Sequence, residues 1–151
     1  MRKHILVPEV KEEILQRISK LKPDSVNQWG KMNVRQMLRH LQEGILIGYG
    51  EIRPARNSGW LTQRLLRWML LRTDLPAPKG KAKTFAEIDQ VERNIDPPDF
   101  AMEQKKLLDL LQKFPEKKLQ PRSPLIGKMN DQNWARQHYT HLDHHLRQFG
   151  V

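Results

Sequence analysis

Apolar residues recur along this chain at helical spacing in four separate stretches, and almost nowhere do they alternate as they would in a strand. From Pro8 to Leu21 the apolar positions are Val10, Ile14, Leu15, Ile18 and Leu21, with Pro8 suited to a first turn and Pro23 beyond the end. This predicts a helix over about 9–22. Asn33 then stands as an N-cap with Gln36 three residues on, the capping-box pattern, ahead of a stripe of Val34, Met37, Leu38, Leu41 and Ile45 that Gly48 and Gly50 close. A second helix is predicted over 33–48. Phe100, Leu107, Leu108, Leu110, Leu111 and Phe114 give a third over 99–114, stopped at Pro115. Asn130 caps a fourth over 131–149, with Asp131 in its first turn and Gly150 at its C-terminal end.

The segment 50–98 has no single period and is broken by Pro54, Pro76, Pro78, Pro97 and Pro98. About a dozen residues from Trp60 look helical, so it reads as a long crossover with one embedded short helix. No convincing strand is predicted. The expectation is an all-α fold, a four-helix bundle with a long crossover between the second and third helices, as one domain over residues 1–151.

Composition narrows the function. The 151 residues include 27 Lys and Arg, 17 Asp and Glu, six His and no Cys, for a net charge of +10. Without cysteine there is no disulfide framework, thiolate metal site or Cys nucleophile, so a metal must be held by His and carboxylate. The N-terminus starts like a secretion signal, but Pro8 and the acidic residues after it stop an apolar region from developing. The stretch from Trp60 to Leu71 contains Arg64 and Arg67 and is too short to span a bilayer. A soluble, cytoplasmic protein is expected.

The six histidines carry the candidate chemistry. On the last helix His141 and His145 are i and i+4, which stacks two imidazoles on one face at a separation that one ion can bridge. At about 100° per residue, Trp134, His138, His145 and Gln148 fall within about 60° of His141, and Ala135, Leu142, Leu146 and Phe149 form the apolar stripe beside them. His144 and Asp143 point elsewhere. His40 flanks the apolar stripe of the second helix in the same way, and Gly44 and Gly48 follow it at steps of four. Such a strip of bare backbone suggests room for a ligand. The same histidines would equally serve as hydrogen-bonded residues at a bundle edge.

Several segments carry a family likeness. Trp29-Gly30-Lys31-Met32, the run Gln36 to Leu41, Pro124 to Met129, Trp134 and the C-terminal run Tyr139 to Val151 resemble the uncharacterised branch of the DinB-like (YfiT-type) superfamily. The resemblance covers essentially the whole chain. It implies a four-helix bundle in which one His of the second helix and an HxxxH pair of the last bind a divalent metal, mapping to His40, His141 and His145. Some members of the superfamily are transferases or isomerases that use low-molecular-weight thiols.

Two function classes follow. The first is an enzyme dependent on a divalent transition metal such as Zn, Ni or Fe, which imidazoles all suit, acting on a small-molecule substrate with a thiol as possible cosubstrate. Gln148 is a candidate to orient a ligand or water, and His138 a candidate base, although a core-edge hydrogen bond fits His138 better. Neither Glu43 nor Asp143 is placed as a general base, which favours a transferase over a hydrolase. The second is a non-catalytic metal-binding bundle, or one that binds an anionic ligand, a membrane surface or nucleic acid. Between Gly50 and Lys83 lie eight basic residues (Arg53, Arg56, Arg64, Arg67, Arg72, Lys79, Lys81, Lys83) against Glu51 and Asp74, so this segment carries +6 of the net charge, with Trp60 and Trp68 among them. No nucleic-acid-binding signature accompanies it, and the Leu-rich helix is expected to pack across the bundle with its Arg heads snorkelling to water. A homodimer stays open.

Overall fold

Asn33 Oδ1 accepts from Gln36 N at 2.9 Å, and Gln36 Oε1 accepts from Asn33 N at 2.9 Å, so the second helix starts with its capping box closed. The computed structural model describes residues 2–55, 58–73, 76–77, 79 and 84–151. Arg56, Asp74, Lys81 and Lys83, counted above in the basic segment, lie outside them. Among the described residues are five α-helices: α1 (Pro8–Ser19), α2 (Val34–Tyr49), α3 (Trp60–Arg72), α4 (Phe100–Gln112) and α5 (Asp131–Gln148). A 3-10 turn covers Ala86–Ile88.

The helices form a bundle: α2 packs on α4 and α5, α1 packs on the same two helices, and α3 lies against α5. The helix α2 is the most enclosed, with 12 of its 16 residues buried. Its apolar stripe, Val34, Met37, Leu38, Leu41 and Ile45, is no more than 3% exposed at any position. It meets Leu107 and Leu111 of α4 and Leu142 and Leu146 of α5 in one core that also takes in Ile14 and Ile18 of α1. Truncating any of these to Ala removes about 2–5 kcal/mol.

The boundaries of α4 and α5 fall inside the predicted ones, while α1 starts one residue earlier and stops three residues sooner than predicted, and α2 is shifted by one residue. α1 ends at Ser19, where the N–H of Lys20 turns to Gln16 and Arg17 and that of Leu21 to Ile18. Pro23 disfavours helical geometry at Lys22, yet Leu21 remains buried at 3%. The N-caps Asp99 and Asn130 accept from Met102 N and Asn133 N at 3.0 and 2.8 Å.

Two features were not predicted. Arg122–Ser123 and Gly127–Lys128 pair as a small antiparallel hairpin, with Gly127 in the left-handed region at φ 75°. Strands of two residues are too short to show an alternating pattern. The end of the crossover, from Glu87 to Asp96, is stitched along α2: Arg35 holds Asp96 at 2.7 Å, Gln36 donates to Ile95 O at 2.9 Å, and Glu43 accepts from Gln90 and Arg93. No helix among the described residues is long and apolar enough to cross a membrane.

Candidate metal centre

α2 and α5 cross with their histidine-bearing flanks facing each other. His40, His141 and His145 each offer a ring nitrogen, and the three atoms lie within 4.8 Å of one another. The ring centroids are 4.8 Å apart for His40 and His141 and 4.9 Å for each of the other two pairs. The planes meet at 81°, 78° and 73°. Three imidazoles therefore stand as a near-equilateral propeller around one point.

The hydrogen bonds around this point set which nitrogen faces it. His40 Nδ1 is 2.8 Å from the Ile88 carbonyl, which only accepts, so Nδ1 carries the proton and Nε2 presents its lone pair. His145 Nδ1 is likewise 2.7 Å from Gln148 Oε1. The amide nitrogen of Gln148 donates to the Trp29 carbonyl at 2.6 Å, which fixes the amide in that orientation. Two lone pairs are thus aimed inward by acceptors behind them, the arrangement that commonly orients ligand histidines.

His141 Nε2 lies 2.9 Å from His40 Nε2. With His40 in the tautomer its Ile88 bond assigns, that contact requires either a proton on His141 Nε2 or a cation between two lone pairs. Two metal bonds of about 2.1 Å at a tetrahedral angle put their nitrogens roughly 3.4 Å apart. That value lies between the 2.9 Å contact and the 4.8 Å bound of the set, so the residues fit an ion with small adjustments of the rings.

Burial keeps all three neutral. His145 is pushed down to about 3, first by burial and then by His40. Burial also lowers His40, against the Ile88 bond that raises it, and it drives His141 well below 6.5 with help from His40 and His145. His40 and His145 are enclosed, whereas His141 is half-buried. Among the described residues, His141 is the member of the trio that keeps some exposure.

The glycine strip has a different use from the expected one. A Cβ on Gly44 would sit 3.0 Å from both Cε1 and Nδ1 of His141, and one on Gly48 would sit 2.9 Å from His138 Nε2. The bare backbone is filled by the α5 imidazoles. It lets α5 approach α2 closely, and among the described residues the rings of His141 and His138 take up the space expected for a ligand.

The other sequence candidates fall outside the trio. His138 is stacked on Trp134 at 5.4 Å and edge-on to Phe114 at 5.3 Å, and among the described residues its Nε2 has no hydrogen-bond partner. The core-edge hydrogen bond expected of it is not made by that nitrogen. Gln148 has both ends of its amide engaged, on His145 and Trp29, so it orients a ring rather than a free ligand. His144 lies beside the trio, edge-on to His145 at 5.0 Å and to Trp29 at 6.0 Å. Asp143 does point away, holding Arg17 and Arg147 at 2.9 Å each. Sequence reasoning missed the Ile88 carbonyl and the clamp of Glu43 on Gln90 and Arg93. A backbone oxygen leaves no mark in a sequence, and Glu43 looked only like a badly placed base.

No curated protein and no solved structure matches the chain. One family model does, from residue 2 to residue 150, so that the three histidines, the loop at Trp29 and the clamp from the crossover all fall within it: the chain belongs to DUF1569, a family of proteins of unknown function.

Proposed function

We propose that this chain is a divalent-metal-dependent enzyme with a three-histidine centre, built on the DinB-like four-helix bundle that its motifs resemble, and that its reaction is a thiol-dependent transfer. The observation that carries the reading is the convergence of His40, His141 and His145, with the Nε2 atoms of His40 and His145 turned inward by Ile88 and Gln148. A Zn, Ni or Fe ion held there keeps its full positive charge and supplies stabilisation of an anionic reactant such as a thiolate at neutral pH.

The protein's own residues bind and orient. Three neutral donors leave a four-coordinate ion one open position, as in catalytic rather than structural sites, and the half-buried His141 marks the side of approach. The acidic residues flanking the histidines are engaged elsewhere: Glu43 by Gln90 and Arg93, Asp143 by Arg17 and Arg147. Neither is free to act as a base towards water, which favours transfer over hydrolysis. With no Cys in the chain, the thiol must come from a small cosubstrate.

The test is consumption of a low-molecular-weight thiol with an electrophilic cosubstrate, measured on metal-loaded and metal-stripped protein. Metal-dependent turnover that His141→Ala abolishes is expected. Equal rates with and without metal would remove the enzymatic reading and leave the metal centre standing.

A further inference from the structure

The sequence leads one to expect α3 to pack across the bundle and leave only its Arg heads outside. Only one side of the helix does so: Leu66, Leu70 and Leu71 lean on the core, and none of its residues is buried. Much of its attachment is polar. Arg136 donates to the carbonyls of Leu70 and Thr73 at 3.2 and 2.8 Å, Arg2 donates to that of Arg72 at 2.5 Å, and Arg67 reaches those of Ile126 and Lys128.

The other side is open. Trp60 is 68% exposed, Leu61 65%, Leu65 64% and Trp68 56%. On a helical wheel Leu61, Leu65 and Trp68 fall within about 60° of one another with the exposed Arg72 among them, while the exposed Arg64 lies about 40° beyond Trp68 and Trp60 about 80° beyond it. Single exposed apolar residues need no explanation. Four large apolar side chains exposed within about 140° on a single helix are instead the clustered exposure that marks an interaction site.

The charge on the patch selects the occupant. The helix 60–72 has three Arg and no acidic residue. A second copy docking by the same face would bring the guanidinium groups of the two copies together, as with Arg64 of one opposite Arg72 of the other. An anionic bilayer surface meets both halves of the pattern, since indole rings settle at headgroup depth, leucines enter the acyl boundary and guanidinium groups pair with phosphates. We infer that α3 docks this protein on anionic phospholipid membranes, with Trp60, Leu61, Leu65 and Trp68 entering the interface and Arg64 and Arg72 on lipid phosphates.

The experiment is co-sedimentation of the full chain with vesicles of phosphatidylcholine alone and of phosphatidylcholine with about a third phosphatidylglycerol, using acyl-brominated lipid to quench tryptophan in contact with the acyl region. Binding only to the anionic vesicles, with quenching, is expected, and Trp60→Ala with Trp68→Ala should weaken it about tenfold or more at unchanged helicity and metal content. Anionic binding without quenching and indifferent to the two substitutions would mean a merely basic protein and overturn the proposal. So would a dimer in solution that Leu65→Glu dissociates, which would give the face to a second copy.

Discussion

Gln148 Oε1 lies 2.7 Å from His145 Nδ1, while the other end of the same amide donates to the Trp29 carbonyl at 2.6 Å. A single side chain one turn beyond the HxxxH pair thus ties the orientation of a candidate ligand to the loop that precedes α2. Gln148→Ala should leave the fold intact and weaken metal binding about 10- to 100-fold, the usual cost of losing a partner behind a ligand histidine. Isothermal titration with Zn or Ni measures it, and an unchanged affinity would show that the His145 ring is held by packing alone.

Gly44 tests the close approach of the two helices. An alanine there gains up to about 1 kcal/mol of helix propensity, but its Cβ would press on His141 at 3.0 Å. Gly44→Ala is therefore expected to weaken metal binding about tenfold or more while thermal stability changes little. A retained affinity would mean that the ring can shift without leaving the centre.

His138 makes a prediction about acid. Burial pushes it down to about 3, against about 6.5 in the unfolded chain. Between those values the unfolded chain takes up a proton that the folded chain refuses, so stability present above pH 6.5 is lost as the pH falls towards 3. His138→Gln, which does not titrate, should flatten the dependence between pH 6 and pH 4 by about 1 kcal/mol per pH unit. Urea unfolding at each pH gives the slopes, and parallel curves for the two proteins would contradict this account.

α2 and α4 are joined by a buried carboxylate. Glu103, with a side chain 3% exposed, accepts two bonds from Arg39 at 2.7 and 2.8 Å and one from Gln42 at 2.8 Å. The Arg39 guanidinium holds its carboxyl below the usual range. Gln42 also reaches the carbonyls of Leu38 and Glu103, so Glu103→Ala acts chiefly by leaving Arg39 without its carboxylate and costs about 2–4 kcal/mol in chemical denaturation. A loss below about 1 kcal/mol would mean that water replaces the carboxylate.

Much of the scaffold was legible because local chemistry and packing agree. Asn33 with Gln36 marks the start of α2, and its apolar stripe is the buried one. The pairing of His40 with His141 and His145 was legible too, because a helical wheel places all three at the edge of an apolar stripe and family likeness names the same positions. What stayed hidden depends on tertiary contacts. The proton on His40 Nδ1 is fixed by the carbonyl of Ile88, 48 residues away. The strip of Gly44 and Gly48 has the same sequence whether it faces a ligand or an imidazole. The Leu-rich pattern of α3 says that one face is covered and cannot say that Trp60 and Trp68 are left in water.

The central claim is that His40, His141 and His145 hold one divalent ion through their ring nitrogens. The most direct measurement is the anomalous difference density of a crystal grown from zinc- or cobalt-loaded protein, collected on both sides of the metal edge. The account predicts one peak per chain, about 2.0 to 2.2 Å from a ring nitrogen of each of the three histidines, with Nε2 of His40 and His145 as the bonding atoms. Full loading with the peak elsewhere, or no peak while His40 and His141 keep their 2.9 Å contact, would contradict it and leave three interior histidines that serve the packing of the bundle.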